Sequence, residues 1–274
     1  MSSTHDHQRS NPITYSCYSR RVREGEQFIP NHVFSFQISG TLLMTDGATQ
    51  YIFQEDSFRL TRRNSLLKFT KQPGAAGEYK NLSVFMDQQT LKELSREYKY
   101  EAEKHTRTTA VISIPPHQLL RSYVLSLQPY DELLNTENAM LRTIKVKELV
   151  FLLLSVSPEL KEVLFDFSEP GKLDLEAFMN KNFRFNVSLE RFAYLTGRSL
   201  STFKRDFEKI FSSRPGKWLQ ERRLQEAYFL IKEKGVAPKE VYIDVGFEDL
   251  SHFSFAFKKM YGVAPSKVTS TFLL

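Results

Sequence analysis

Ser201, Thr202, Lys204 and Arg205 fall within five consecutive positions. Fifty residues later Ser251, His252, Ser254, Phe255, Lys258 and Lys259 occupy the corresponding stretch. Hydroxyls, an imidazole and long cations at helical spacing suit one chemistry above others, hydrogen bonding to the edges of base pairs. Arg grips guanine O6 and N7 with two bonds, Lys reaches the same edge, and Ser or Thr bonds to several bases. The match between the stretches extends beyond these residues. LSTFKRDFEKIFSSRPGK from Leu200 and LSHFSFAFKKMYGVAPSK from Leu250 align without a gap. Leu, Ser, Phe, Phe, Lys, Pro and Lys coincide, at 200/250, 201/251, 203/253, 207/257, 209/259, 215/265 and 217/267.

Elements must hold those side chains outward. Each copy follows a short amphipathic stretch and a glycine, Gly197 or Gly246. A short helix, a tight turn and a second helix with a polar outer face make a helix-turn-helix. One such pattern is weak, since many helical hairpins share it, but two in register are strong. Ser199 suits the cap of the first reading helix, with Leu200, Phe203, Phe207 and Phe211 inward. Ser188 suits the cap of the helix before it, with Glu190 near its positive end. Pro215 opens a connecting helix to about Lys234, roughly 28 Å long at 1.5 Å per residue. That length suits two units entering successive major grooves about 34 Å apart. Lys217, Arg222 and Arg223 on this helix are candidates to hold phosphates. Pro238 starts the second unit at a favoured first position.

The N-terminal part reads differently. Val33–Ile38 alternates, placing Phe34, Phe36 and Ile38 on one face. Asp46-Gly47 is a hairpin signal before Gln50–Phe53, and further strands are expected near 57–60, 66–70 and 81–86. Their close spacing predicts a small antiparallel barrel or sandwich, taken as a cupin-like barrel. A helix over about 137–156 is apolar nearly all round across Leu149–Leu154. Leu149 and Leu153 are therefore the candidate dimerisation residues, with simple core burial the alternative. The turn-rich 168–172 marks the boundary. The expected fold is α+β: residues 1–167 form a regulatory and dimerisation domain, with 1–12 disordered. Residues 168–274 form an all-helical DNA-binding domain with two helix-turn-helix units joined by a long helix.

Composition bounds the rest. The chain of 274 residues has a net charge of +6. Residues 168–274 hold 18 Lys and Arg against 13 Asp and Glu, so nearly all of the excess lies with the repeat. A local surplus of this kind is what phosphate binding needs. Cys17 is the only cysteine, which excludes an internal disulfide and fits a reducing cytoplasm. The longest apolar run, Leu149–Leu154, is too short for a membrane span, and the polar start of the chain lacks a signal-peptide core. His32 is the only histidine between Arg9 and Glu103, so a cupin-type metal site lacks its ligands. No P-loop, dinucleotide turn or nucleophile elbow is present. No cofactor is expected and an enzyme is not. A metal cupin enzyme fused to a helical domain, or a DNA binder without sensing, are the alternatives.

From Ser188 to Val268 the chain resembles the AraC/XylS family of bacterial transcription regulators. The resemblance rests on SLERFAYLTGRSLSTFKRDFEKIF, PGKWLQERRLQEAYFLI and DVGFEDLSHFSFAFKKMYGVAPSK. IKVKELVFLLLSVSPEL and the strand pattern are similar to the regulatory domain of the ExsA-like branch. The resemblance implies a cytoplasmic, dimeric, promoter-binding activator that works with RNA polymerase. Its signal is either a small effector or a regulatory protein. It also implies base and phosphate contacts from Ser201, Lys204 and Arg205. The second unit departs from the family pattern. Phe255 stands where an arginine is common, Tyr242 where a small residue is usual, and Pro238 where an aliphatic is usual. Phe255 touches thymine methyls, meets another protein, or folds against Tyr242; the sequence leaves all three open.

Overall fold

The computed structural model describes residues 12–104, 109–127 and 139–268. Residues 1–11 of the tail read as disordered and the first residues of the helix predicted from Glu137 lie outside the described residues.

Among the described residues nine strands form two antiparallel sheets. They are β1 (Ile13–Tyr18), β2 (Val22–Ile29), β3 (His32–Ser39), β4 (Thr41–Thr45), β5 (Gln50–Phe53), β6 (Phe58–Thr61), β7 (Ser65–Gln72), β8 (Tyr79–Met86) and β9 (Val111–Ile114). One sheet runs β1-β8-β3-β6-β9 and the other β2-β7-β4-β5, so the described strands make two sheets and not a closed barrel. Between Ser39 and Thr41 the chain passes from one sheet to the other, and Gly40 makes that corner at φ +81°. A Cβ there would lie 2.5 Å from the Gln72 carbonyl oxygen.

β3 is buried on both faces, against the expectation of one apolar face. Phe34, Phe36 and Phe58 stack on one side. They join a core with Leu60, Leu82, Val84 and Met86 that faces the helices. On the other side Gln37 lies beside the buried Arg59, which donates to Asn81 Oδ1 at 2.6 Å. Burial pulls the Arg59 guanidinium down to about 10. Leu42, Met44, Phe53 and Leu67 of the second sheet pack with Tyr79 of the first in a further core between the sheets.

Helices α1 (Gln88–Tyr98), α2 (Gln118–Leu127) and α3 (Ala139–Val156) cover the five-stranded sheet, and a short α4 (Lys161–Leu164) follows. Leu149 and Leu153 on α3 are fully buried in the same core as Val146 and Val150. This corrects their reading as dimerisation residues. α3 is apolar nearly all round because α1, α2 and the 158–167 segment surround it within one molecule. Its exposed apolar residues are Met140 and Ile144 instead.

Among the described residues the C-terminal part contains helices and no strand: α5 (Leu175–Asn182), α6 (Leu189–Leu195), α7 (Leu200–Phe211), α8 (Pro215–Lys234), α9 (Pro238–Asp244) and α10 (Leu250–Tyr261). Two cores divide it. Leu175, Met179, Phe192, Phe203, Phe207 and Leu219 build the first; Leu224, Ala227, Ile231, Val241, Phe253 and Phe257 build the second. α8 contributes to both, its N-terminal half to one and its C-terminal half to the other.

Candidate nucleic-acid interface

α7 starts at a cap. Ser199 is extended and its hydroxyl accepts from the Thr202 amide, satisfying one of the unpaired N–H groups of the first turn. Phe203 and Phe207 recur every four residues and are fully buried, with Phe211 and Trp218 closing the row. That inward row fixes the opposite face. Ser201, Lys204 and Arg205 are exposed, Arg205 with 77% of its side chain free, and Thr202 is half-buried beside the cap. Arg198, by contrast, is tied inward to Asp206 at 3.1 Å. Ser188 precedes α6 without a side-chain bond to the helix amides, unlike the expectation for a cap. Glu190 is nonetheless held below its ordinary range by hydrogen bonds from its own amide and the Ser188 hydroxyl.

α10 repeats the device with different residues. Asp249 caps it, accepting from the His252 amide at 2.7 Å. Phe253, Ala256 and Phe257 face inward. Ser251, His252, Lys258 and Lys259 are exposed and Ser254 is half-buried. Phe255 is 71% exposed, and Tyr242 lies tilted against Phe253 instead, their ring centroids 6.5 Å apart. The turns before the two helices need glycine. Gly197 has φ +65° and a Cβ would lie 2.5 Å from the Gly171 carbonyl carbon. Gly246 has φ +98° and a Cβ would lie 2.6 Å from the Arg184 carbonyl oxygen.

The three connecting-helix cations separate. Lys217 is open, with 71% of its side chain free. Arg222 is half-exposed, over the Phe183 ring at 4.6 Å and 3.8 Å from Glu226. Arg223 turns into the protein and donates to the Phe183, Phe185 and Gly246 carbonyls at 2.7–2.9 Å. Its expected phosphate contact is therefore corrected: this guanidinium ties α8 to the turn of the second unit. Arg222 and Arg223 point about 100° apart on the helix, and the three carbonyl bonds hold Arg223 on the inward side.

Sequence reasoning missed a set of contacts between the halves. Phe28 and Leu66 pack on the first helical core, with Arg191 over the Phe28 ring at 4.4 Å. Lys68 donates to the Ile243 and Asp244 carbonyls at the C-terminus of α9, at 3.2 and 2.6 Å, and Arg23 pairs with Asp244 at 2.5 Å. Cations at a helix C-terminus meet the negative end of its dipole. Burial pulls Lys68 down to about 8, partly offset by Asp244. These partners lie 175 to 221 residues apart, and no local pattern signals them. Two clefts of about 570 and 770 Å³ open along this junction. Among the described residues no three His, Cys, Asp or Glu side chains gather to hold a metal. Among the same residues no helix is long and apolar enough to cross a membrane.

Residues 32–163 match the model of the ExsA N-terminal regulatory domain, and residues 192–271 match that of a helix-turn-helix domain of the AraC type. Both segments are thus similar to AraC-type regulators. The chain is 28% identical over 160 residues to the regulator ExsA of Pseudomonas aeruginosa, covering 57% of this chain and 56% of that one. It is 29% identical over 97 residues to the virulence regulon activator VirF of Yersinia enterocolitica, covering 35% and 36%. The matches thus span about half of the first relative and a third of the second. A structure of apo ToxT from Vibrio cholerae aligns with a TM-score of 0.47 at 14% identity, over 94% of this chain and 98% of that one. The named relatives are transcription regulators and not enzymes.

Proposed function

We propose that this protein is a sequence-specific DNA-binding transcription regulator and acts as an activator. The observation that carries it is the paired exposure of equivalent helix faces, Ser201, Lys204 and Arg205 on α7 and Ser251, His252, Ser254 and Phe255 on α10. Lys217, Arg222, Lys258 and Lys259 supply phosphate contacts around them, and Thr202 borders the first reading face. Residues 168–274 form the DNA-binding domain and residues 1–167 the regulatory one. The protein works in the cytoplasm, where its DNA is, as a homodimer that engages RNA polymerase at the promoter. A partner protein is the favoured signal. The space between the sheets is filled by Arg59, Gln37, Asn81 and the Leu42–Tyr79 core, while Leu125, Met140 and Ile144 are exposed on the covering helices.

Binding of the full chain to its own promoter DNA, measured across salt concentrations, tests the reading. About six phosphate contacts give a log–log slope of about −5. Arg205→Ala is expected to lose about 1–3 kcal/mol on the preferred site and to relax preference at one base pair. A flat salt response with no site preference would overturn the proposal.

A further inference from the structure

Phe255 is out of place on α10. It follows the buried Phe253 and precedes the buried Ala256 and Phe257, yet it points to solvent. It is 71% exposed, more than any other described aromatic side chain among the exposed apolar ones. The fifty-residue register sets it opposite Arg205, whose side chain is equally open on α7. Its surroundings are polar: Ser251 and His252 lie one turn before it, Ser254 beside it, and Lys258 and Lys259 one turn after it. A surface built to dock another protein carries a cluster of apolar groups at its centre and few charges there. The other exposed apolar side chains of the helix, Leu250 and Met260, are each five residues away and so about 140° round it, which leaves this ring among hydroxyls and cations, the setting of a group that enters a phosphate-lined groove.

We propose that Phe255 reads thymine, packing its ring on the C5-methyl groups that only thymine presents in the major groove. The inference rests on the DNA-reading role proposed above and names what its second unit reads. The two units then use opposite chemistries. Arg205 forms hydrogen bonds to a guanine edge, and Phe255 excludes water from one or two methyl groups. The second unit gains little from hydrogen bonds and prefers A·T pairs set so that the methyl faces the helix. Ser254 and His252 keep bonding capacity for the flanking edges, and Lys258 and Lys259 hold the backbone.

Replacing single thymines by uracil removes only the methyl and leaves base pairing intact. The preferred site is first selected from randomised DNA with the full chain, and each thymine in it is then replaced in turn. For the wild type, at least one replacement is expected to weaken binding about fourfold, the loss of one buried methyl. Phe255→Ala is expected to bind thymine and uracil forms of that site equally, and Phe255→Arg to change the preferred base there from thymine to guanine. Both variants keep the wild-type melting temperature, because the side chain is not in the core. The inference is overturned if no uracil replacement acts through Phe255. It is equally overturned if Phe255→Ala keeps full thymine preference but loses promoter activation, since the ring then serves a protein. A wild type that selects no site at all would instead sink the DNA-reading proposal, a result distinct from both.

Discussion

His32 is a single buried residue whose chemistry reaches the stability of the whole N-terminal half. Its Nδ1 accepts from the Arg63 amide at 3.4 Å, and its buried Nε2 has no partner among the described residues. Burial first, then the charges of Arg63 and Arg62, pull its pKa down to about 3, with Asp166 acting the other way. The folded protein therefore holds it neutral, while the unfolded chain protonates near pH 6.5. Between those values the unfolded state binds the extra proton, so stability is full above about pH 6.5 and falls as the pH drops toward 3. Thermal melts at pH 7.5 and 5 are expected to show a larger loss for wild type than for His32→Gln, which cannot titrate. Equal losses in the two proteins would place the acid sensitivity elsewhere.

At the scale of elements, α3 shows how a pattern in sequence acquires its meaning from neighbours. Leu149 and Leu153 lie inside the core, so an aspartate at either position buries an unpaired charge. Leu149→Asp is expected to lose the cooperative unfolding transition of the N-terminal half outright. Ile144→Asp, on an exposed side of the same helix, is expected to keep the transition and to reduce self-association in sedimentation. A folded Leu149→Asp protein would contradict the packing described. The sequence showed that this helix was apolar all round but not which surfaces met it, because α1, α2 and the 158–167 segment are supplied by distant chain. The glycine turns and the cap at Ser199 were legible because their signals lie within a turn or two of chain, and the repeat because it is written in the sequence itself. β2 was not. It carries a bulge between Glu24 and Gln27 that breaks the alternation a strand is recognised by. β3 was found, but its second buried face was hidden by Ser35 and Gln37, polar residues kept inside by the Ser83 hydroxyl in the first case and by Arg59 and the Ser39 and Lys80 carbonyls in the second. Arg223 misled for a similar reason: a cation on a two-sided helix looks the same whether it faces solvent or three carbonyls.

For the whole molecule, the contact between the halves touches both helix-turn-helix units. Phe28 and Leu66 meet the first through apolar packing, and Arg23 and Lys68 meet the second through Asp244. α8 joins the same two units, with Leu219 in one core and Leu224 in the next. A helix carries angle as well as length. One residue added between Leu219 and Leu224 moves the second unit by only about 1.5 Å but swings it by about 100° around the helix axis. Seven added residues move it by roughly 10 Å yet return it to within about 20° of its original bearing. One alanine inserted after Glu221 is therefore expected to leave both cores packed and to shrink the selected DNA site to a single half. A seven-residue helical insert is expected to recover a second half, displaced along the DNA, even though the Asp244 contacts are lost. Recovery with the short insert and not the long one would show that distance governs the pair. On the proposed DNA-reading role, α8 then acts as a compass needle as much as a spacer: the two half-sites are expected to tolerate drift in sequence far more than rotation about each other.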